Sequence, residues 1–349
     1  MVFMLLPLTA FAEENAGAGT GTEPSVTAYA TKEQLMDGTF APNADGTAVN
    51  IGKIVFGKKS DGTTAQEWYI LGKDAGVSGD NTIIFAASPI ATNQVFENDY
   101  SNNKDFQSSF GVYASNPSEV YPNHYGASVL RVVLQGMAKN TSYFTTAEQD
   151  LMNATTVTTK DTKDSATYTT TDKLYALAAD GFGDSYKTIK AGTSDSTVLA
   201  KSSYWSSGDS FWLRSPYDYQ LSCALFAIPG GYVDWDAVTL ASTVQPASNL
   251  NLSSVLFASS AKAASSDTVS GTLTDGTAMT LRLNGTGKNI GTVTYNATTG
   301  DIKATKESSE GDVALVVQGK DGTNDWYYSK QIDASETVNA SSIKSALAL

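Results

Sequence analysis

The chain of 349 residues has one cysteine, one histidine and little positive charge. Cys223, being alone, excludes an internal disulfide and any zinc site built on cysteines. In "LSCALFA" it reads as a small buried hydrophobe. His124 lies in "YPNHYG" with no Gly-x-Ser-x-Gly elbow elsewhere to supply a serine nucleophile, so nothing marks a Ser-His-Asp enzyme. Against 36 acidic residues stand 23 basic ones, a formal net charge of −13, and the lysines and arginines never cluster. That balance argues against nucleic acid and against an anionic membrane surface. No later apolar run approaches the roughly 20 residues of a membrane helix, so no membrane insertion is expected.

The chain opens with "MVFMLLPLTAFA", an apolar run ending Ala-Phe-Ala just before Glu13. Small residues at −3 and −1 behind an apolar stretch mark a secretory leader and its cleavage site. The sequence therefore predicts a signal peptide over residues 1–12 and an extracellular or cell-surface location. An exported chain with no disulfide suits a Gram-positive surface. Residues 13–28, rich in Gly, Ala and Thr, read as a flexible linker.

Short β-type runs follow, "GKIVFG", "EWYIL" and "NTIIFAA", separated by the turn formers "SDGTT" and "VSGDN". Two helices interrupt them. In "YGASVLRVVLQGMA" the spacing of Val129, Val132, Val133 and Met137 predicts one buried face. In "YFTTAEQDLM", Thr145 and Glu148 stand in capping-box register, with Leu151 and Met152 facing the core. Residues 153–171 and 184–203, crowded with Ser, Thr, Asp and Lys, read as long surface loops. Past "SSAKAASSD" the pattern becomes cleaner alternation in "AMTLRL", "GTVTYN", "VALVVQG" and "DWYYSKQI", which suggests a small immunoglobulin-like β-sandwich over residues 261–349.

The segment order from the "VFG" and "EWYIL" strands through the two helices, "TTDKLYALAAD", "SFWLRSP" and "TVQPASNLNLSSVLF" resembles a family of secreted domains of unknown function from gut Firmicutes, marked by a W-L-R-S-P core. The resemblance covers about residues 49–257. Gln245 stands where that family usually has arginine. The same core is similar to C-type-lectin-like folds, including the formylglycine-generating-enzyme branch and the variable proteins of diversity-generating retroelements. The resemblance implies an α+β, C-type-lectin-like domain over residues 29–260, with two helices and short antiparallel strands, and a binding scaffold whose loop face follows the core. Formylglycine-type oxidation would need more cysteine than Cys223.

Within that core, Arg214 is flanked by Trp212, Leu213 and Pro216. Its fixed fork of donors suits pinning neighbouring segments together, so Trp212 and Arg214 are expected to be structural. The loop face offers Tyr217, Asp218, Tyr219, Tyr232, Asp234, Trp235 and Asp236. Tyrosine and tryptophan give large contact area at low entropic cost, while aspartates add adaptable polar contacts, the palette of binding surfaces. Asp234 and Asp236 also resemble paired carboxylates, but glycosidase pairs usually come from different strands. The turns "DGFGDS" and "GKDGTND" depart from the EF-hand pattern. Calcium is the only cofactor left open, through Asp218, Asp234 and Asp236; none is expected. These features predict a non-catalytic protein recognising an extracellular protein or glycan. An extracellular hydrolase of glycan or peptide and a structural surface or stalk component are the alternatives.

Overall fold

A computed structural model describes residues 2–7, 29–41, 52–100, 120–162, 167–183, 188–193, 197–200, 209–229, 232–259, 278–284, 290–307, 313–321 and 324–346. The linker read over residues 13–28 lies outside them.

The β-branched and aromatic runs form an eight-stranded sheet, ordered Tyr29–Thr31, Val255–Ser259, Ala278–Leu283, Lys53–Lys58, Ala65–Gly72, Asn81–Ala86, Ala247–Asn251 and Leu174–Tyr175. Its pairings are antiparallel except that Ala278–Leu283 runs parallel to Lys53–Lys58. Every residue of Asn81–Ala86 is buried, because both faces of this central strand are covered. Alternation sends Ile84 and Ala86 into one hydrophobic core, Ile83 and Phe85 into another.

A five-stranded sheet, ordered Tyr232–Ala237, Cys223–Ile228, Phe211–Pro216, Ala241–Val244 and Ala91–Val95, borders the same two cores. Trp212 and Ala224 enter the first; Phe211, Leu213, Leu225 and Val233 enter the second.

The helix Val129–Lys139 is capped by Ser128, whose side chain accepts from the Arg131 amide. It buries Leu130, Leu134, Met137 and Ala138. Val129, Val132 and Val133, expected on the buried face, are half-buried. Both sets obey helical spacing, and the set with the two leucines takes the core. The capping box of Thr145 and Glu148 is formed, and Leu151 and Met152 are buried.

Residues 153–171 are not the loop their polarity suggested. Thr155–Lys160 and Thr167–Asp172 form a β-hairpin, burying Thr155, Val157 and Thr159 and presenting the alternate threonines outward. Threonine is β-branched and tolerates both faces of a strand, so polarity alone misreads it.

The expectation of an α+β, C-type-lectin-like domain followed by an immunoglobulin-like sandwich is overturned. The protein is mostly β, with four short α-helices among the described residues, several open sheets and no closed barrel. "AMTLRL", assigned by its alternation to the sandwich, instead supplies the Ala278–Leu283 strand of the large sheet. Alternation reports one buried face and is silent about which sheet the strand joins. The remaining C-terminal strands make two three-stranded sheets. One contains Gly291–Asn296, Asp301–Lys306 and Ser335–Asn339; the other contains Val2–Pro7, Val313–Asp321 and Asn324–Ile332. They share a core of Ile302, Val313, Leu315, Val317 and Ile332, joined by Ile343 of the helix Ala340–Ala346.

Candidate functional site

The W-L-R-S-P segment is the strand Phe211–Pro216, paired with Cys223–Ile228 through a register shift between Trp212 and Pro216. Trp212 is buried, donates from Nε1 to the Gln94 carbonyl at 3.0 Å and packs edge-on against Phe96. Arg214 is fully buried. Its Nη1 donates to the Ala176 carbonyl at 2.9 Å and its Nε to the Thr158 carbonyl at 3.3 Å. Its own amide donates to the Leu177 carbonyl at 2.7 Å. One side chain thus fastens the threonine hairpin and the 176–177 segment to the central strand.

A second buried cation holds the hairpin from the other side. Arg131 Nη2 lies 2.8 Å from Asp172 Oδ1 with both side chains buried, and Thr170 Oγ1 donates to Asp172 Oδ2 at 2.7 Å. A buried pair of this kind is costly to break from one side, since the partner charge is stranded.

The turn after Pro216 carries Tyr217, Asp218 and Tyr219. It closes through the Tyr217 amide to the Cys223 carbonyl at 3.1 Å and the Gln220 amide to the Tyr217 carbonyl at 3.3 Å. Asn123, which the sequence reading passed over beside His124, organises this turn from beneath. Its buried side-chain amide donates to the Cys223 carbonyl at 2.9 Å and the Gln220 carbonyl at 3.3 Å. His124 itself stacks on Tyr168 with centroids 4.0 Å apart. Burial pushes its pKa down to about 4, so the imidazole is neutral at neutral pH.

The fold brings three of the candidate aromatics together and adds a fourth. Tyr217 and Trp235 stack with centroids 4.6 Å apart and planes at 10°. Tyr219 sits 5.5 Å from Tyr217. Phe182 meets Tyr217 edge-on at 4.9 Å and Tyr219 at 6.2 Å. Phe182 lies between Gly181 and Gly183, both at positive φ, and the Gly183 amide is tied to the Val233 carbonyl at 3.0 Å. Only glycine adopts such φ values without strain, so the two glycines aim the ring. Tyr219 is 80% exposed and Trp235 39% exposed, far more than rings of this size keep in a core.

The acidic candidates divide. Asp218 forms an exposed ion pair with Lys160 at 2.6 Å. Asp234 and Asp236 each accept from the next backbone amide, Trp235 and Ala237, at 2.8 and 2.7 Å. Strand alternation puts them, with Tyr232, on the face opposite Val233 and Trp235. Tyr232 and Asp234 border a smaller hollow of about 330 Å³. No group of three or more potential metal ligands occurs among the described residues.

Beside Tyr219 and Phe182 opens a groove of about 670 Å³. It is lined by Thr158, Lys160 and Thr167 of the hairpin together with Asp180, Ser215 and Asp218. Lys190 pairs with Asp180 at 2.8 Å. Charge along the groove is therefore balanced locally, and hydroxyls and two rings, Phe182 and Tyr219, line it.

Residues 93–252 match the family described as a domain of unknown function, DUF6273. The matched span contains Asn123, Arg131, Asp172, Phe182, Arg214, Tyr217, Tyr219 and Trp235, so the whole ring cluster and its supports lie inside the domain. It agrees with the resemblance to a family of unknown function. No curated protein and no solved structure matches the chain.

Proposed function

We propose that the chain is a non-catalytic recognition protein of the bacterial cell exterior, binding a glycan along the groove beside Phe182, Tyr217, Tyr219 and Trp235. One observation carries this reading. Four rings held by backbone and buried polar clamps end in an 80% exposed tyrosine beside a groove of about 670 Å³. Preorganised rings offer binding area without the entropic cost of ordering them. The hydroxyls of Thr158, Thr167 and Ser215 and the paired carboxylates of Asp180 and Asp218 suit a ligand with many hydroxyls, whose C–H faces can lie on the rings. A groove without surplus charge favours such a neutral ligand over a charged peptide segment. Export through the leader read over residues 1–12 would put this face where glycans are.

The hydrolase reading rests on Asp180 and Asp218 lining one groove. Each is already engaged by a lysine, Asp218 by Lys160 and Asp180 by Lys190. The glycan-binding reading is therefore preferred.

The test is affinity electrophoresis and isothermal titration of the full chain against laminarin, xylan, mannan and solubilised peptidoglycan. Retardation by at least one, lost on Tyr219→Ala and with no product released, is expected. No retardation by any of the four, or product release abolished by Asp180→Asn, overturns the reading. Export is checked separately. Protein recovered outside the cell should begin at Glu13, and residues 1–12 retained on a cytosolic protein would sink it.

A further inference from the structure

The C-terminal unit contains a strand whose edge is chemically unguarded. The strand Val313–Asp321 begins V-A-L-V-V-Q, with no charge, proline or glycine in those six positions. Val313, Leu315, Val316 and Val317 are all buried. On one side it pairs along its full length with Asn324–Ile332. On the other it pairs antiparallel with Val2–Pro7, Val2 opposite Gln318 and Pro7 opposite Val313. Natural edge strands are blunted by lysine, proline, bulges or a covering element. Over Val313–Gln318 the strand itself carries none of the first three, and Val2–Pro7 is the cover.

The covering strand is also part of the segment whose apolar run and Ala-Phe-Ala end mark it as a removable leader. The two roles conflict: cleavage before Glu13 takes away the strand that guards Val313–Gln318. We propose that loss of Val2–Pro7 turns this edge into a self-association site, where a second copy of the chain adds its own Val313–Gln318 strand antiparallel across a two-fold axis. A two-fold contact needs a self-complementary patch. Centred on Val316, this one sets Ala314 opposite Gln318, Leu315 opposite Val317 and Val316 opposite its own copy, each pair on one face of the sheet. No like charges meet, and each unpaired backbone group finds a partner. The run also has the composition of strands that pair spontaneously with their own kind: high β-propensity, no charge, no proline. The proposal rests on the export reading for its biological trigger, but its physical content does not depend on cleavage.

The test therefore uses the full chain, with Met4→Pro and Leu5→Pro together. Two consecutive prolines remove ladder donors of both parities and prevent the 2–7 strand from pairing. Light scattering after size exclusion should give a monomer for the unaltered chain and twice that mass for the double variant. Hydrogen exchange should show residues 313–318 still protected in the dimer. A synthetic peptide of residues 1–8 in excess should return the variant to monomer. A monomeric double variant, whether its far-ultraviolet dichroism stays β or is lost, overturns the proposal. So does a dimer that the peptide leaves intact or in which 313–318 exchange freely. Whether residues 1–12 are removed in the cell is decided by the N-terminal sequencing above, so the two ideas fail independently.

Discussion

Trp235 lies flat against Tyr217, with ring centroids 4.6 Å apart and planes 10° from parallel. Tyr217 is also packed against the second core, so the stack is a bridge: one ring rooted in the protein, the other open to solvent. The two rings will therefore respond differently to truncation.

Tyr219→Ala should leave the melting temperature within a degree or two of the unaltered protein, because the side chain is 80% exposed. Binding should weaken by about tenfold or more, the effect of losing an interface anchor worth ~2 kcal/mol. Tyr217→Ala should lower stability by about 1–2 kcal/mol as well, through its lost stacking and burial. Chemical denaturation alongside titration separates the two effects. Equal unfolding by both variants would show that Tyr219 is core.

Asn123→Ala should destabilise by roughly 1–3 kcal/mol, because the Gln220 and Cys223 carbonyls lose a buried donor. The damage should be local. Hydrogen exchange would quicken at residues 217–223 and binding would fall, while protection in Asn81–Ala86 stays. Uniformly faster exchange would show that Asn123 supports the fold at large.

Arg214→Ala should cost roughly 3–5 kcal/mol, through a cavity and the stranded carbonyls of Thr158 and Ala176. Arg214→Lys should recover little, because an ammonium cannot reach two divergent carbonyls as the guanidinium fork does. Thermal melting of both variants without ligand checks this; an unchanged melting temperature for Arg214→Ala would contradict it.

Glu97 gives a pH signature. Burial pushes its pKa from 4.5 up to about 7, against the pull of the Asn98 and Val129 amides that donate to it. The raised value means the folded state binds the proton more tightly than the unfolded state. Its stabilising effect is complete below about pH 4.5 and is lost as pH rises to about 7. The stability difference between Glu97→Gln and the unaltered protein should therefore move in favour of the variant across that window, by on the order of 3 kcal/mol. Denaturant melts at pH 4.5, 6 and 8 check the sign. His124, depressed from 6.5 to about 4, acts oppositely: its contribution is complete above pH 6.5 and is lost as pH falls towards 4.

Local chemistry was the legible part. Thr145 and Glu148 announce their helix start because a capping box is completed within four residues. "NTIIFAA" reads as a buried strand because its composition fits nothing else. Tyr217, Tyr219 and Trp235 could be singled out by residue type, and they meet in space. Phe182 could not be, since its place depends on a bridge between Gly183 and Val233. The partnership of Arg131 with Asp172, 41 positions apart, is equally invisible. Sheet membership failed for the same reason. Nothing in "AMTLRL" says that its neighbours will be Val255–Ser259 and Lys53–Lys58, and the lectin-like expectation fell with that ignorance.

Ile83 and Ile84 are adjacent in the chain yet belong to different hydrophobic cores. Two cores that share a strand cannot melt in turn: freeing either one requires Asn81–Ala86 to leave the sheet, which uncovers the other at the same moment. The two cores therefore lose their structure as one thermodynamic unit. A substitution deep in the first core, far from any ligand, will be felt at the groove only as a change in the fraction of molecules folded, never as a loosened site on an intact body.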